Sequence, residues 1–262
     1  MCRVAADQSW IVPELRRTVA GSGGDGLGLQ AFHRGDKPMS DHRSRFLQLA
    51  LHSQALRFGE FTLKSGRLSP YFFNAGRFDS GAKLADLAAC YADAVEAAGI
   101  QFDLLFGPAY KGIPLATALA CEFARRGRDL PVAFNRKEAK AHGEGGMLIG
   151  APLEDRNVLI VDDVITAGTA IREALGLIQA GGGRAAGIVV ALDRQEVLGE
   201  GAEAAATRRS AAQSVAAETG VPVIAVANLH DLLAFAGESA ELVSHRDRLL
   251  AYRASYGSSP SD

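Results

Sequence analysis

Apolar positions along this chain follow two periods, one near 3.6 residues and one of short continuous runs, and the two take turns. From Asp41, the residues Phe46, Leu49, Ala50 and Leu56 recur at helical spacing, which predicts a helix N-capped by Asp41 and ending near Gly59. Phe61–Leu63 and Tyr71–Ala75, separated by Ser-Gly and Ser-Pro, predict a short hairpin. A helix is expected from about Ser80 to Ala98, then strand Phe102–Phe106, loop Gly107–Gly112, helix Ile113–Arg126 and strand Val132–Asn135. Residues 136–146 read as a charged, glycine-rich loop with Met147–Ile149 as its returning strand. Strand Val158–Val161, helix Gly168–Ala180, strand Gly187–Leu192, a helix near Ala202–Thr219, strand Val221–Val226 and terminal helices follow.

Strands alternating with helices of ten or more residues predict right-handed βαβ units. The expected fold class is therefore α/β: a mostly parallel central sheet flanked by helices, with a small N-terminal helix-hairpin hood. The first 38 residues differ. Six glycines fall between Gly21 and Gly35, and only Trp10-Ile11-Val12 and Leu15 offer an apolar anchor. Such a stretch has little apolar surface to offset its ordering entropy. We expect residues 1–38 to be a disordered extension or a mis-assigned start. Residues 39–262 are expected to form a single domain, hood from about 39 to 79 and core from about 80 to 262.

Composition narrows the function. The 262 residues carry 28 Lys and Arg against 30 Asp and Glu, a net charge of −2, which argues against a nucleic-acid binder that is basic overall. No apolar run approaches the length of a membrane span. Cys2, Cys90 and Cys121 lie far apart without metal-ligand spacing, so reduced thiols are expected. Arg16-Arg17 is followed by Thr-Val-Ala-Gly-Ser-Gly-Gly-Asp-Gly rather than an apolar segment, so it is not read as an export signal. A cytoplasmic protein is expected.

The sharpest chemical signal is Val158-Leu-Ile-Val-Asp-Asp-Val-Ile-Thr-Ala-Gly-Thr-Ala-Ile-Arg-Glu173. Four apolar β-formers end in Asp162-Asp163, and Thr166-Ala167-Gly168-Thr169 then opens a helix. A Thr/Gly turn at a helix N-terminus offers N–H groups, hydroxyls and a positive dipole end to a phosphate. Gly168 lets the backbone approach that phosphate closely. Adjacent carboxylates would repel it, so they face hydroxyls, a cation or positive charge developing on a sugar. A phosphorylated sugar satisfies both halves. Incidental strand-end acids are one rival. A response-regulator receiver domain is another, but its aspartate pair comes from the first strand, whereas at least three strands precede this one.

The segment resembles the phosphoribosyl pyrophosphate (PRPP) motif of type I phosphoribosyltransferases. Phe61-Thr-Leu-Lys-Ser-Gly-Arg-Leu-Ser-Pro-Tyr-Phe-Phe-Asn74, Gly107-Pro-Ala-Tyr-Lys-Gly112 and Asn135-Arg-Lys-Glu-Ala-Lys-Ala-His-Gly143 are similar, in order, to segments of the orotate phosphoribosyltransferase family. The resemblance spans nearly everything from Met39 on. It implies that Lys64, Tyr110, Lys111, Arg136, Lys137, Lys140, His142 and the run Asp162, Asp163, Val164, Ile165, Thr166, Ala167, Gly168, Thr169, Ala170 bind PRPP. Lys140, His142, Asp162 and Asp163 would be the catalytic set. Lys64, Phe72, Phe73, Thr166 and Arg194 would bind orotate.

The implied reaction moves the 5-phosphoribosyl group from PRPP to N1 of orotate, giving orotidine 5′-monophosphate and pyrophosphate in pyrimidine biosynthesis. Charge grows on the leaving pyrophosphate, so fixed cations and Mg²⁺, held mainly through the substrate with no direct protein ligand, would carry catalysis. Gly143, Gly145 and Gly146 would let the cationic loop open and close. In that family the loop reaches a neighbouring subunit, which implies a homodimer with shared sites and Lys137 acting across it. A purine phosphoribosyltransferase, and a non-catalytic PRPP-sensing regulator, are the alternatives. His33, His42, His52, His230 and His245 have no metal spacing and receive no role.

Overall fold

A computed structural model describes residues 41–63, 65–140, 146–197, 208–238 and 242–259, the side chains of Ala139 and Lys140 apart. These residues belong to one compact unit, Met39–Asp262. The expectation for residues 1–38 lies outside the described residues.

The first helix, α1 (His42–His52), buries Phe46, Leu47 and Ala50. It stops seven residues earlier than the spacing predicts, because Gln54 takes a left-handed φ of 55° and the next residues enter strand β1 (Leu56–Thr62). Asp41 holds the N-cap position, but its carboxylate accepts from Arg43 instead of capping the helix. Strand β1 pairs antiparallel with β2 (Leu68–Phe73), so the hairpin is longer than expected, and it forms a separate two-stranded sheet.

Helix α2 (Gly81–Ala98) starts at Ser80, whose hydroxyl accepts from the Lys83 N–H, and ends at left-handed Gly99. Then come β3 (Leu104–Gly107), α3 (Gly112–Arg125), β4 (Val132–Lys140), β5 (Gly146–Gly150), β6 (Asn157–Asp162), α4 (Thr169–Ala180) and β7 (Arg184–Asp193). Helix α5 (Ala211–Thr219), β8 (Val223–Asn228), α6 (Leu229–Glu238) and α7 (Val243–Tyr256) complete the chain. Helix α5 ends at Thr219 as predicted and starts at a capping box in which Ser210 and Gln213 satisfy each other's backbone N–H, while residues 202–207 of the predicted helix lie outside the described residues. Strand β4 runs on to Lys140, into what the glycines predicted as loop.

The main sheet has strand order β5-β4-β3-β6-β7-β8, parallel throughout except where β5 returns against β4. Both faces are covered, which explains the continuous apolar runs of its strands. Leu105, Leu159, Val161, Val189 and Ala191 face the core shared with α1, α2, α3 and α6. Their neighbours Leu104, Phe106, Val158, Ile160, Ile188 and Val190 face Ile171, Ala174 and Ile178 of α4 and Val215 of α5. The period-2 alternation thus sorts each run into two cores, one per face. Among the described residues no helix is long and apolar enough to cross a membrane.

Candidate active site

Strand β3 is the origin of the sheet. The chain leaves it through α3 to β4 on one side, then returns through β5 to β6 on the other. The loops after β3 and β6 therefore diverge at the carboxyl edge, and such a switch point leaves a crevice where ligands bind in open α/β sheets.

The first wall is Gly107–Gly112. A Cβ on Gly107 would lie 2.5 Å from the Gly112 carbonyl oxygen, and one on Gly112 2.6 Å from both Pro108 Cδ and Val161 O. Only glycines let this turn fold onto the end of β6. The Ala109–Tyr110 peptide is cis. The Ala109 N–H donates to Asn135 Oδ1 at 2.9 Å, so the end of β4 holds the turn from behind. Tyr110 is left 71% exposed.

The second wall continues β6. Asp162 and Asp163 are buried, yet each carboxylate has a backbone partner: the Asp163 N–H donates to Asp162 Oδ1 at 2.9 Å, and the Val164 N–H to Asp163 Oδ1 at 3.0 Å. The Tyr91 hydroxyl, from α2, donates to the Asp162 carbonyl at 2.8 Å. Lys111 reaches across the crevice and places Nζ 2.6 Å from Asp163 Oδ2, joining the two walls. Among the described residues no cation bridges Asp162. Burial, then the neighbouring Asp163 carboxylate, push its pKa up to about 7, although the Lys111 charge pulls it down somewhat.

The turn Thr166–Gly168 is exposed apart from Gly168, which takes a left-handed φ of 77° directly before α4. No side chain caps the helix, so its first N–H groups point out of the turn. Arg172 fixes the turn from below, donating to the Ala167 carbonyl at 2.7 Å while paired with Glu218 of α5. Thr169 is exposed, and Val164 and Ile165 pack partly against the two cores, Val164 against one and Ile165 against the other.

The structure thus brings together Lys111, Asp162, Asp163 and the 164–170 turn. Arg136 follows Asn135 at the same edge, its guanidinium donating to the Gly146 carbonyl at 3.3 Å, and Lys137 is exposed. Lys140 ends β4 with its backbone opposite Gly146. Lys64 and His142 lie outside the described residues.

The residues assigned to the base divide. Arg194 leaves the carboxyl end of β7, next to β6, and pairs with Glu196 at 2.7 Å over the Tyr71 ring. Phe73 packs against Phe46 and Phe78 in the core, whereas Phe72 stacks near Phe61 and Arg57 on the hairpin. The Phe73 side chain is thus part of the core packing, and the half-buried Phe72 side chain packs on the hairpin. Sequence reasoning missed Asn135, Tyr91 and Arg172 as positioning residues. Asn135 had a signal, the first polar residue after an apolar strand; a tyrosine inside a helix carries none.

The Phosphoribosyl transferase domain family matches residues 78–205, the span from the end of the hairpin past Arg194. Orotate phosphoribosyltransferase of Xanthomonas campestris pv. campestris (strain B100) is 77% identical over 219 residues, covering 84% of this chain and 98% of that protein. The protein of that name from Stenotrophomonas maltophilia (strain K279a) is 72% identical over the same length. Among solved structures, orotate phosphoribosyltransferase of Francisella tularensis is 41% identical with a TM-score of 0.71, covering 81% of this chain and 96% of that one. The matched domain, residues 78–205, holds both crevice walls, Gly107–Gly112 and Asp162–Ala170, the curated relatives are covered over 98% of their length, and the chain belongs to the orotate phosphoribosyltransferase family.

Proposed function

We infer that the crevice between the ends of β3 and β6 binds PRPP and that the neighbouring end of β7 receives orotate. The chain transfers the 5-phosphoribosyl group from PRPP to N1 of orotate, releasing pyrophosphate, a step of pyrimidine biosynthesis. The observation that carries this reading is the Lys111–Asp163 bridge beside the uncapped start of α4. It sets a cation, two carboxylates and a phosphate-sized turn on one edge.

In this reading the 5′-phosphate docks on the turn Thr166–Ala170, where helix N–H groups and hydroxyls favour an anion. Pyrophosphate lies against Tyr110 and Lys111, joined by Lys64, Arg136, Lys137, Lys140 and His142. Asp162 and Asp163 accept from the ribose hydroxyls and stabilise positive charge as the C1–O bond breaks. Burial and the adjacent Asp163 carboxylate raise the Asp162 pKa, and positive charge arriving in the crevice, from the sugar or a divalent cation, would draw it back down. Mg²⁺ would then be held mainly through the substrate's pyrophosphate and ribose hydroxyls, beside Asp162 and Asp163. When bound there, Mg²⁺ neutralises charge on the leaving group. In this reading the cationic segment 136–146, whose first residues extend β4, closes as a loop over the crevice and excludes water that would otherwise capture the activated ribose. We further propose a homodimer in which that loop, Lys137 included, serves the partner's crevice. Cys90 and Cys121 are free thiols, in keeping with a reducing, cytoplasmic setting.

Pyrophosphate release from PRPP and Mg²⁺, measured with orotate, adenine or hypoxanthine as acceptor, tests the assignment. Release is expected with orotate alone. Equal release with a purine would overturn the base assignment, and PRPP binding without release would favour a regulator.

A further inference from the structure

Just beyond β7, the chain makes a turn that it does not hold by itself. Gln195 follows Arg194 in a left-handed conformation, φ 49°, which is uncommon for a residue with a side chain. Three hydrogen bonds from three places fix it. The Gln195 N–H donates to Asp193 Oδ1 at 2.9 Å, its Oε1 accepts from the His230 N–H at 3.0 Å, and its carbonyl accepts from the Ser258 N–H at 2.7 Å. The last of these comes from the segment after α7. That segment continues alongside: the Val197 N–H donates to the Tyr256 carbonyl at 2.9 Å, and Glu196 and Gly257 form an antiparallel bridge. Gly257 lies so close to the end of α7 that a Cβ would stand 2.4 Å from the Arg253 carbonyl oxygen.

The turn sets one side chain in particular. Arg194 and Glu196 meet at 2.7 Å with only 19% and 14% of their side-chain surface exposed. The guanidinium carbon sits 5.1 Å from the centre of the Tyr71 ring, and Tyr252 of α7 meets that ring edge-on. Among the described residues Arg194 Nε has no hydrogen-bond partner although it is buried. A guanidinium so enclosed keeps one orientation, and its fork is useful to a flat, anionic ring only in that orientation.

We infer that the segment Tyr256–Ser259, acting through Gln195 and Glu196, positions Arg194 for the pyrimidine base, so that the end of the chain helps set affinity for orotate and not for PRPP. In this inference Glu196 is a positioning residue, acting on the base through the guanidinium that it holds at 2.7 Å. The inference rests on the assignment of Arg194 to the base, and its test separates the two.

Steady-state kinetics of the full chain with Glu196→Gln, Glu196→Asp, Gly257→Ala and Arg194→Ala, alongside melting temperatures, decide the matter. Glu196→Gln is expected to raise the orotate KM about tenfold, the usual worth of a hydrogen bond to a charged group, and leave the PRPP KM unchanged. Glu196→Asp should restore part of the loss, and Gly257→Ala should act in the same direction as Glu196→Gln. If Arg194→Ala raises the orotate KM but Glu196→Gln and Gly257→Ala do not, the positioning role is wrong. Should both KM values and the melting temperature shift together in Glu196→Gln, the segment merely supports the fold and the inference again fails. An orotate KM indifferent to Arg194→Ala overturns the assignment underneath, and this inference with it.

Discussion

Asp162 is where the site works against the stability of the fold. Its carboxyl pKa rises from an ordinary 3.8 to about 7 because it is buried and faces Asp163. The folded state therefore holds a proton that the unfolded state releases between those values, so stability contributed by Asp162 is present below pH 4 and declines as pH rises towards 7. A rise of that size corresponds to about 4 kcal/mol as an upper bound. Asp162→Asn keeps an acceptor for the Asp163 N–H and removes the charge. Its melting temperature is expected to exceed that of the unaltered chain at pH 8, with the gap closing towards pH 4, while turnover falls by about a hundredfold or more. Scanning calorimetry across pH checks the first part; a variant no more stable at pH 8 refutes the electrostatic account. At this scale the sequence was informative where chemistry is contiguous, as in Asp162–Ala170. It was silent on Lys111 meeting Asp163, since 52 positions separate them and only the adjacency of β3 and β6 joins them.

Elements were legible in proportion to how far their own residues decide them. Strands β6 and β7 show as apolar runs because burial on both faces demands it, and α5 begins at a capping box written locally in Ser210 and Gln213. Helix α1 was overextended because Leu56 continues a helical spacing, whereas its strand state comes from pairing with Phe73, 17 positions on. The turn between β3 and α3 illustrates an element set by space. Gly112→Ala would drive a methyl into Pro108 and Val161 O, and overpacking of this kind typically costs about 1–3 kcal/mol. Urea denaturation should register that loss together with a raised PRPP KM. An unchanged midpoint would mean the backbone gives way without resistance.

For the whole molecule, the proposed dimer makes a distinctive prediction. Lys140→Ala in the cationic loop and Asp163→Asn in the crevice should each nearly abolish turnover alone. If loops serve the partner's crevice, a mixed dimer carries one site with both defects and one with neither. Exchange of subunits in an equal mixture should then recover about a quarter of normal activity. No recovery would show that each loop serves its own crevice, and light scattering that finds a monomer would remove the premise. The sequence by itself determined the α/β alternation, the apolar strands and the acid-acid-turn segment, because each depends on residues within one or two turns of one another. Only the tertiary structure decided that Lys111 faces Asp163, that Phe73 belongs to the core, and that Ser258 steadies Gln195. Those contacts depend on strand order and on which segments pack side by side, and no local pattern of side chains encodes a distance between residues far apart in the chain.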